Sequence, residues 1–419
     1  MTIRWPPDYI YTDQYISGWI RVMTKKNQDE KLPIGALLAL AMTGFICIVT
    51  ETLPAGLLPE ISSGLDVSAS YAGQMVTFYA LGSLLAAIPL TIATQSWRRR
   101  TVLLLTIVGF LIFNSVTALS SSYWLTLIAR FFAGVSAGLA WSLIAGYARR
   151  MVVPKLQGRA LAIAMVGTPL ALSLGVPLGT WLGGFMGWRM AFGLMSGMTL
   201  VLIAWVLIKV PDYPGQTSSQ RMALGQVFFT PGVRPVLGVV FTWMLAHNIL
   251  YTYVASFVSK AGLANNIDVV LLAFGVAALA GIWVTGRLVD RHLRKAVLAS
   301  LATFAGVSVF FGLFSGSAMA IYLGVFIWGL TFGGAATLLQ TALADSAGEG
   351  ADVALSMNVV VWNSAIAGGG LLGGVLLSEW GVGSFPWVLF VLSVLSLLIA
   401  ARAHVHGFAT GNRFNAGSV

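Results

Sequence analysis

Residues 33–58 read PIGALLALAMTGFICIVTETLPAGLL, an apolar run that carries one charged side chain, Glu51. At about 1.5 Å of rise per residue, a helix of this length crosses the ~30 Å hydrocarbon layer of a bilayer. An acid at mid-bilayer is costly unless water, a partner or a proton attends it. Of the fourteen acidic residues, Glu51 alone lies deep in a long apolar segment; the others fall at segment ends, in loops or in tails.

The rest of the chain repeats the pattern. Its 419 residues are 58% hydrophobic and only 9% charged, where a soluble domain has about a quarter of its residues charged. Windows of roughly twenty residues give twelve spans, near 33–58, 69–93, 101–119, 122–147, 158–184, 188–209, 235–259, 267–288, 295–315, 318–343, 354–378 and 384–403. The expected fold class is therefore an all-α integral membrane protein. Residues 1–32 read as a polar tail with an amphipathic patch around Trp19 and Ile20, and not as a cleavable signal, because the apolar run behind them is too long.

Lysine and arginine placement orients the chain. Twenty-one of the 24 basic residues fall in the tails and even-numbered loops, among them Arg98, Arg99, Arg100, Arg149, Arg150, Lys155 and Arg159. Both termini are accordingly expected in the cytoplasm, with the chain in the inner membrane. The formal charge of +10 then marks a face beside anionic lipid, so membrane lipid is the expected partner and a nucleic acid is not. One cysteine, Cys47, and four scattered histidines supply neither an intrachain disulfide nor a metal centre, and no cofactor is expected. Nor does any local cluster furnish the nucleophile, base or cofactor cradle of an enzyme.

The polar stretch near 211–234 divides the spans six and six, giving a tail at 1–32, bundles at 33–210 and 235–403, and a second tail at 404–419. Small residues recur at an offset near 195: Gly134 and Gly138 map onto Gly329 and Gly333, and Arg98–Arg100 onto Arg294 and Lys295. Two related bundles around a central site are what alternating access by rocking requires. The halves also differ. The same offset carries Glu51 to Ala246 or His247 and Arg130 to Val325, so the acid and the arginine belong to the first half alone.

Burial without a cation raises a carboxylate pKa and opening to water lowers it, so Glu51 is the candidate proton switch, or else a helix-to-helix hydrogen-bonding group near Pro54. Arg130, on one stripe with Gly134 and Gly138, either tunes Glu51 or binds backbone carbonyls. His247, Asn248, Tyr251, Gln340, Asn358 and Asn363 offer polar groups to a cavity, and Tyr79, Trp141 and Trp328 offer aromatic walls. Gly175, Pro177 and Gly179 in the fifth span mark a close-packed, bendable helix.

Several of these motifs resemble the major facilitator superfamily, in particular its twelve-helix drug/proton antiporter branch, which includes sugar and purine nucleoside exporters. Gly286-Arg-Leu-Val-Asp290-Arg291-His-Leu-Arg294-Lys295 is similar to the family's gating motif after the eighth helix. The first-half counterpart, Leu90 to Arg100, has leucine in place of the motif's glycine and Thr94 in place of its aspartate, which weakens the charged latch there. Arg130-Phe-Phe-Ala-Gly134-Val-Ser-Ala-Gly138 resembles the fourth-helix motif, and Gly175-Val-Pro177-Leu-Gly179 the fifth-helix antiporter motif. Glu51-Thr-Leu-Pro54-Ala-Gly56-Leu-Leu-Pro59 looks like the first-helix entry of the branch. The resemblance implies two six-helix bundles in a monomeric transporter that uses protons as its coupling ion. It implies Glu51 and Arg130 in proton coupling, and Gly286, Asp290, Arg291, Arg294 and Lys295 in gating.

The expected activity is proton-driven export of a small organic molecule. A drug or amphipathic compound is the first expectation, because an acid in an apolar cavity suits lipophilic or cationic cargo. Sugar or purine nucleoside efflux is the alternative, with His247, Asn248, Gln340 and Asn363 as a directional hydrogen-bond set; uptake by proton symport ranks below both. Aromatic walls favour the first reading, and amides converging near His247 the second.

Overall fold

A computed structural model describes residues 32–409 apart from 95, 154–155 and 216–223; the side chains at 157–159, 290, 349 and 352 are likewise not described. Among the described residues, twelve helices are long and apolar enough to cross a membrane. They are α1 (Ile34–Gly56), α2 (Ala69–Thr94), α3 (Arg99–Leu119), α4 (Tyr123–Arg150), α5 (Ala160–Met186) and α6 (Trp188–Lys209), then α7 (Val233–Thr252), α8 (Ile267–Val289), α9 (Arg291–Phe314), α10 (Ala318–Ala347), α11 (Val353–Trp380) and α12 (Val382–Arg402). Twelve crossings bring Leu32 and Ala409 to one side, called here the terminal face; the opposite side is the distal face.

Two spans end earlier than their apolar runs. The first run continues to Leu58, but the helix breaks at Leu57 and restarts as Leu58–Leu65 with Pro59 in its first turn. The seventh continues to Ser259, but Tyr253 leaves helical geometry before a short helix at Val254–Ser259. Helices α8 and α9 join through a kink at His292. In α5, Pro177 has no N–H to bond the Ser173 carbonyl, and Ala171–Gly175 widens into a π turn in which the Val176 amide reaches back to Ala171.

The internal repeat is visible in atomic contacts. A Cβ on Gly134 would strike the Tyr79 carbonyl, and one on Gly138 the Ser83 carbonyl; in the second half Gly329 lies against the Phe274 carbonyl and Gly333 against that of Ala278. Every one of these eight residues is 195 positions from its counterpart. The same interval separates the N-caps of α4 and α10, where Ser122 accepts from the Leu125 amide at 3.5 Å and Ser317 from the Ala320 amide at 3.4 Å. Lipid gives two apolar helices no reason to associate, so close backbone approach at small residues holds α2 to α4 and α8 to α10.

The bundles α1–α6 and α7–α12 meet chiefly along α2 with α11 and α5 with α8. Gly275 of α8 abuts the backbone of Leu172 and Ser173 in α5, and Gly370 of α11 sits on the Thr77 hydroxyl of α2. These crossings lie toward the distal face.

Candidate transport pathway

Glu51 and Arg130 are both buried, and α4 brings them together without pairing their charges. Arg130 is fully enclosed. Its Nε donates to the Met75 carbonyl at 3.3 Å and its Nη2 to the Glu51 carbonyl, not the carboxylate, at 3.5 Å. Its Nη1 has no hydrogen-bond partner among the described residues. The guanidinium carbon stands 4.8 Å from the centre of the Tyr79 ring and 5.5 Å from that of Phe192. Two carbonyls and two ring faces thus take the place of a salt bridge. Tyr79 donates in turn to the Cys47 carbonyl at 2.9 Å, one turn of α1 before Glu51. Among the described residues the Glu51 carboxylate makes no ion pair, and Arg130 is the positive charge that acts on it.

Across the interface, α7 presents His247 and Tyr251. The Tyr251 hydroxyl approaches Thr52, beside Glu51, without the geometry of a hydrogen bond. Behind it, three further rings join Tyr251 around His247. The imidazole lies flat on Phe332, with ring centres 3.5 Å apart and planes 2° from parallel. Tyr251 and Trp328 are each 5.2 Å from it and Phe274 is 5.8 Å away. Trp243 meets Phe332 edge-on at 6.5 Å. This box mixes apolar faces with polar atoms: His247 Nδ1, the indole nitrogens of Trp243 and Trp328 and the Tyr251 hydroxyl have no hydrogen-bond partner among the described residues. Buried polar atoms are nearly always paired, so four together form a set of donors and acceptors able to meet a polar guest.

The amides behave differently. Asn248 donates back to the Met244 carbonyl at 2.8 Å and Asn363 to the Val359 carbonyl at 2.9 Å, each inside its own helix. Gln340 is exposed, and Asn358 is buried with its Oδ1 unpartnered. No convergence of amides on His247 is seen among the described residues. Trp141 packs over Gly44 of α1. Gly175 and Gly179 receive Phe45, Val49 and Leu53 of α1, and Pro177 is buried beside them.

In the sequence-predicted gate, Gly286 faces open space and Arg291 and Lys295 are exposed. The Asp290 side chain lies outside the described residues. Arg294 reaches into its own bundle, donating to the carbonyls of Ala400, Ala401 and Phe408, each at 2.9 Å.

Sequence reasoning passed over Trp243, Phe274 and Phe332, because an aromatic residue in an apolar helix signals core as readily as a site. It also missed a polar clasp across the distal face. Tyr253 donates to the Gly370 carbonyl at 2.7 Å and contacts the Ser70 carbonyl at 3.3 Å. Gln74 reaches the Gly370 carbonyl at 3.3 Å and the Tyr253 hydroxyl at 3.4 Å, and Ser70 donates to the Gly374 carbonyl at 3.0 Å. Gly370, Gly373 and Gly374 permit this approach, since side chains there would collide with Thr77, Tyr253 and Ser70. The Tyr253–Gly370 bond lies within the second half, but Ser70 to Gly374, Gln74 to Gly370 and to Tyr253, and Tyr253 to Ser70 cross between the halves, and a pair of halves that alternates must break these crossing contacts to open the distal face. Replacing Tyr253 by phenylalanine removes the shared hydroxyl and is expected to speed distal-side labelling of a cysteine placed at Val76, in a Cys47→Ala background, by about fivefold, the equivalent of one net hydrogen bond. An unchanged labelling rate contradicts the clasp.

A family model described as Major Facilitator Superfamily matches residues 40–370. The chain is similar to the "Probable sugar efflux transporter" of Helicobacter pylori strain G27, 25% identical over 380 residues, which cover 90% of this chain and 97% of that protein. It is also similar to the protein of that name from Mannheimia succiniciproducens, at 28% identity over 86% of this chain and 92% of the relative. The "Purine ribonucleoside efflux pump NepI" of Shigella sonnei is 29% identical, covering 88% of this chain and 93% of the pump.

Proposed function

The chain belongs to the major facilitator superfamily, and on that premise we propose that it exports a neutral, ring-bearing polyol of the sugar or purine nucleoside class in exchange for protons, from a bacterial inner membrane with both termini cytoplasmic. The observation that carries this reading is the box around His247. A wall of rings alone suits amphipathic drugs, and the sequence expectation leaned that way. Here the rings bring four unpartnered polar atoms with them. Flat faces stack on a base or on the C–H face of a sugar, while nitrogens and a hydroxyl meet its hydroxyls. Relatives named for sugar and for purine ribonucleoside efflux support the same cargo class.

Division of labour between the halves supplies the mechanism. The first bundle holds the proton site, with Glu51 in α1 and Arg130 beside its backbone. The second bundle holds the cargo box. Tyr251 stands where the two adjoin, against Thr52. Protonation of Glu51 removes a charge from the seam and lets the halves close around it, while cargo in the box competes for the same passage.

The test is counterflow in proteoliposomes of the purified chain with radiolabelled inosine, glucose and tetraphenylphosphonium. Saturable exchange of inosine or glucose, lost in Trp328→Ala, is expected. Exchange of tetraphenylphosphonium alone overturns the cargo class in favour of an amphipathic drug.

A further inference from the structure

The loop between α2 and α3 lacks the acid its motif would carry. Counted along the motif from Leu90, Thr94 occupies that position, and Gln95, 195 residues before Asp290, is not an acid either; the Thr94 hydroxyl donates to the Leu90 carbonyl at 2.7 Å within its own helix. Three arginines follow at 98–100, and Arg149 and Arg150 end α4 nearby in the first bundle. Helix α3 also begins without a side-chain cap of its own. The first amides of a helix and clustered arginines both call for negative charge.

That charge comes from beyond α6. Asp212 forms an ion pair with Arg98 and accepts the Arg100 amide at 3.2 Å. The Tyr213 carbonyl accepts the Arg99 amide at 2.9 Å. Helix α4 holds the same segment from the other side: Tyr147 donates to the Pro211 carbonyl at 2.6 Å, Arg150 to the Pro214 carbonyl at 3.1 Å, and the Tyr147 and Tyr213 rings meet edge-on at 5.7 Å. Burial alone would raise the Asp212 pKa. The hydrogen bonds and positive charge of Arg98 and Arg100 outweigh it and hold the carboxyl below its ordinary value.

The second bundle has a related fold-back. The chain after α12 returns so that Arg294 holds the Phe408 carbonyl, and Arg99 with Tyr213 and Arg294 with Phe408 are 195 positions apart. Position 407, the counterpart of Asp212, is a glycine at φ +103°. The fold-back is common to both halves; the acid is peculiar to the first.

We propose that Pro211–Pro214 is a strap belonging to the first bundle, and that Asp212 is its positioning residue, supplying from the linker the carboxylate that the α2–α3 loop does not carry. The first bundle therefore carries the chain as far as Pro214 when the halves rock, and the strap keeps α3 and α4 registered at the terminal face as one stiff unit.

Hydrogen exchange on the full-length protein in lipid nanodiscs tests the strap without reference to any cargo. Asp212→Asn is expected to speed exchange of the amides at 99–102 and 147–150 by about tenfold, the effect of losing a charge-assisted bond, while amides of α7–α12 stay unchanged and Asp212→Glu restores protection. Unchanged exchange at 99–102, or loosening spread over both bundles, overturns the strap. The positioning role rests on the transport reading and has a separate readout. Inosine counterflow by Asp212→Asn is expected to lose several-fold in maximal rate at constant half-saturation. A changed half-saturation, or an unchanged rate beside the loosened amides, overturns that role while leaving both the strap and the transport reading intact.

Discussion

Replacing Glu51 by glutamine is expected to abolish accumulation of inosine driven by an imposed pH gradient, while inosine counterflow without a gradient persists. Glutamine keeps the shape and the hydrogen-bonding ends of the side chain but cannot bind or release a proton in this range. The structure gives the substitution little else to disturb. Arg130 grips the Glu51 carbonyl, Tyr79 grips the Cys47 carbonyl, and neither contact uses the carboxylate. What disappears is a charge that would otherwise come and go in a buried seam, with Arg130 as its neighbour and Tyr251 across the interface. Gradient-driven accumulation that survives in the variant removes Glu51 from the coupling step. Loss of counterflow together with accumulation would make Glu51 a cargo ligand instead.

The second large effect is on folding. A methyl group added at Gly134 meets the Tyr79 carbonyl of α2, so Gly134→Ala forces α2 and α4 apart at the residue that also faces Arg130. Overpacking of this kind costs about 1–3 kcal/mol, and here the obstacle is backbone, which cannot swing aside. Gly146 lies on the same helix with nothing within 4 Å of its Cβ position. Gly146→Ala therefore relieves a helical glycine at no steric cost, which favours the helix by roughly 0.5–1 kcal/mol. Two glycine-to-alanine changes three turns apart should move stability in opposite directions, and Gly329→Ala should repeat the loss in the second half. Thermal unfolding in detergent reads all three. Equal small effects at positions 134 and 146 would mean that the close approach of α2 and α4 does not hold the bundle together.

The fold was largely legible because its physics is one-dimensional. Length and hydropathy place a span, and Gly134 with Gly138 could be matched to Gly329 with Gly333 from spacing alone. Apolar composition says nothing, however, about where a helix breaks, so the first and seventh runs were read past Leu57 and Tyr253. Side-chain chemistry was harder to read. Asn248 and Asn363 look like cavity ligands in sequence, yet an amide in a helix can satisfy itself on the carbonyl four residues back, and both do. The partners of His247 come from three helices, and no local pattern joins Phe274 or Phe332 to it. Asp212 sits in a linker more than a hundred residues from the arginines it serves; the missing acid at Thr94 was visible, but its replacement was not.

The most direct test loads sealed proteoliposomes with inosine and a pH-sensitive dye, dilutes them into inosine-free buffer at equal pH, and follows the lumen as the nucleoside runs out. Antiport through Glu51 predicts that the lumen acidifies, in proportion to the inosine lost, and that Glu51→Gln shows no such acidification. A lumen that turns alkaline during efflux, or that holds its pH while inosine leaves through the wild-type protein, contradicts the account.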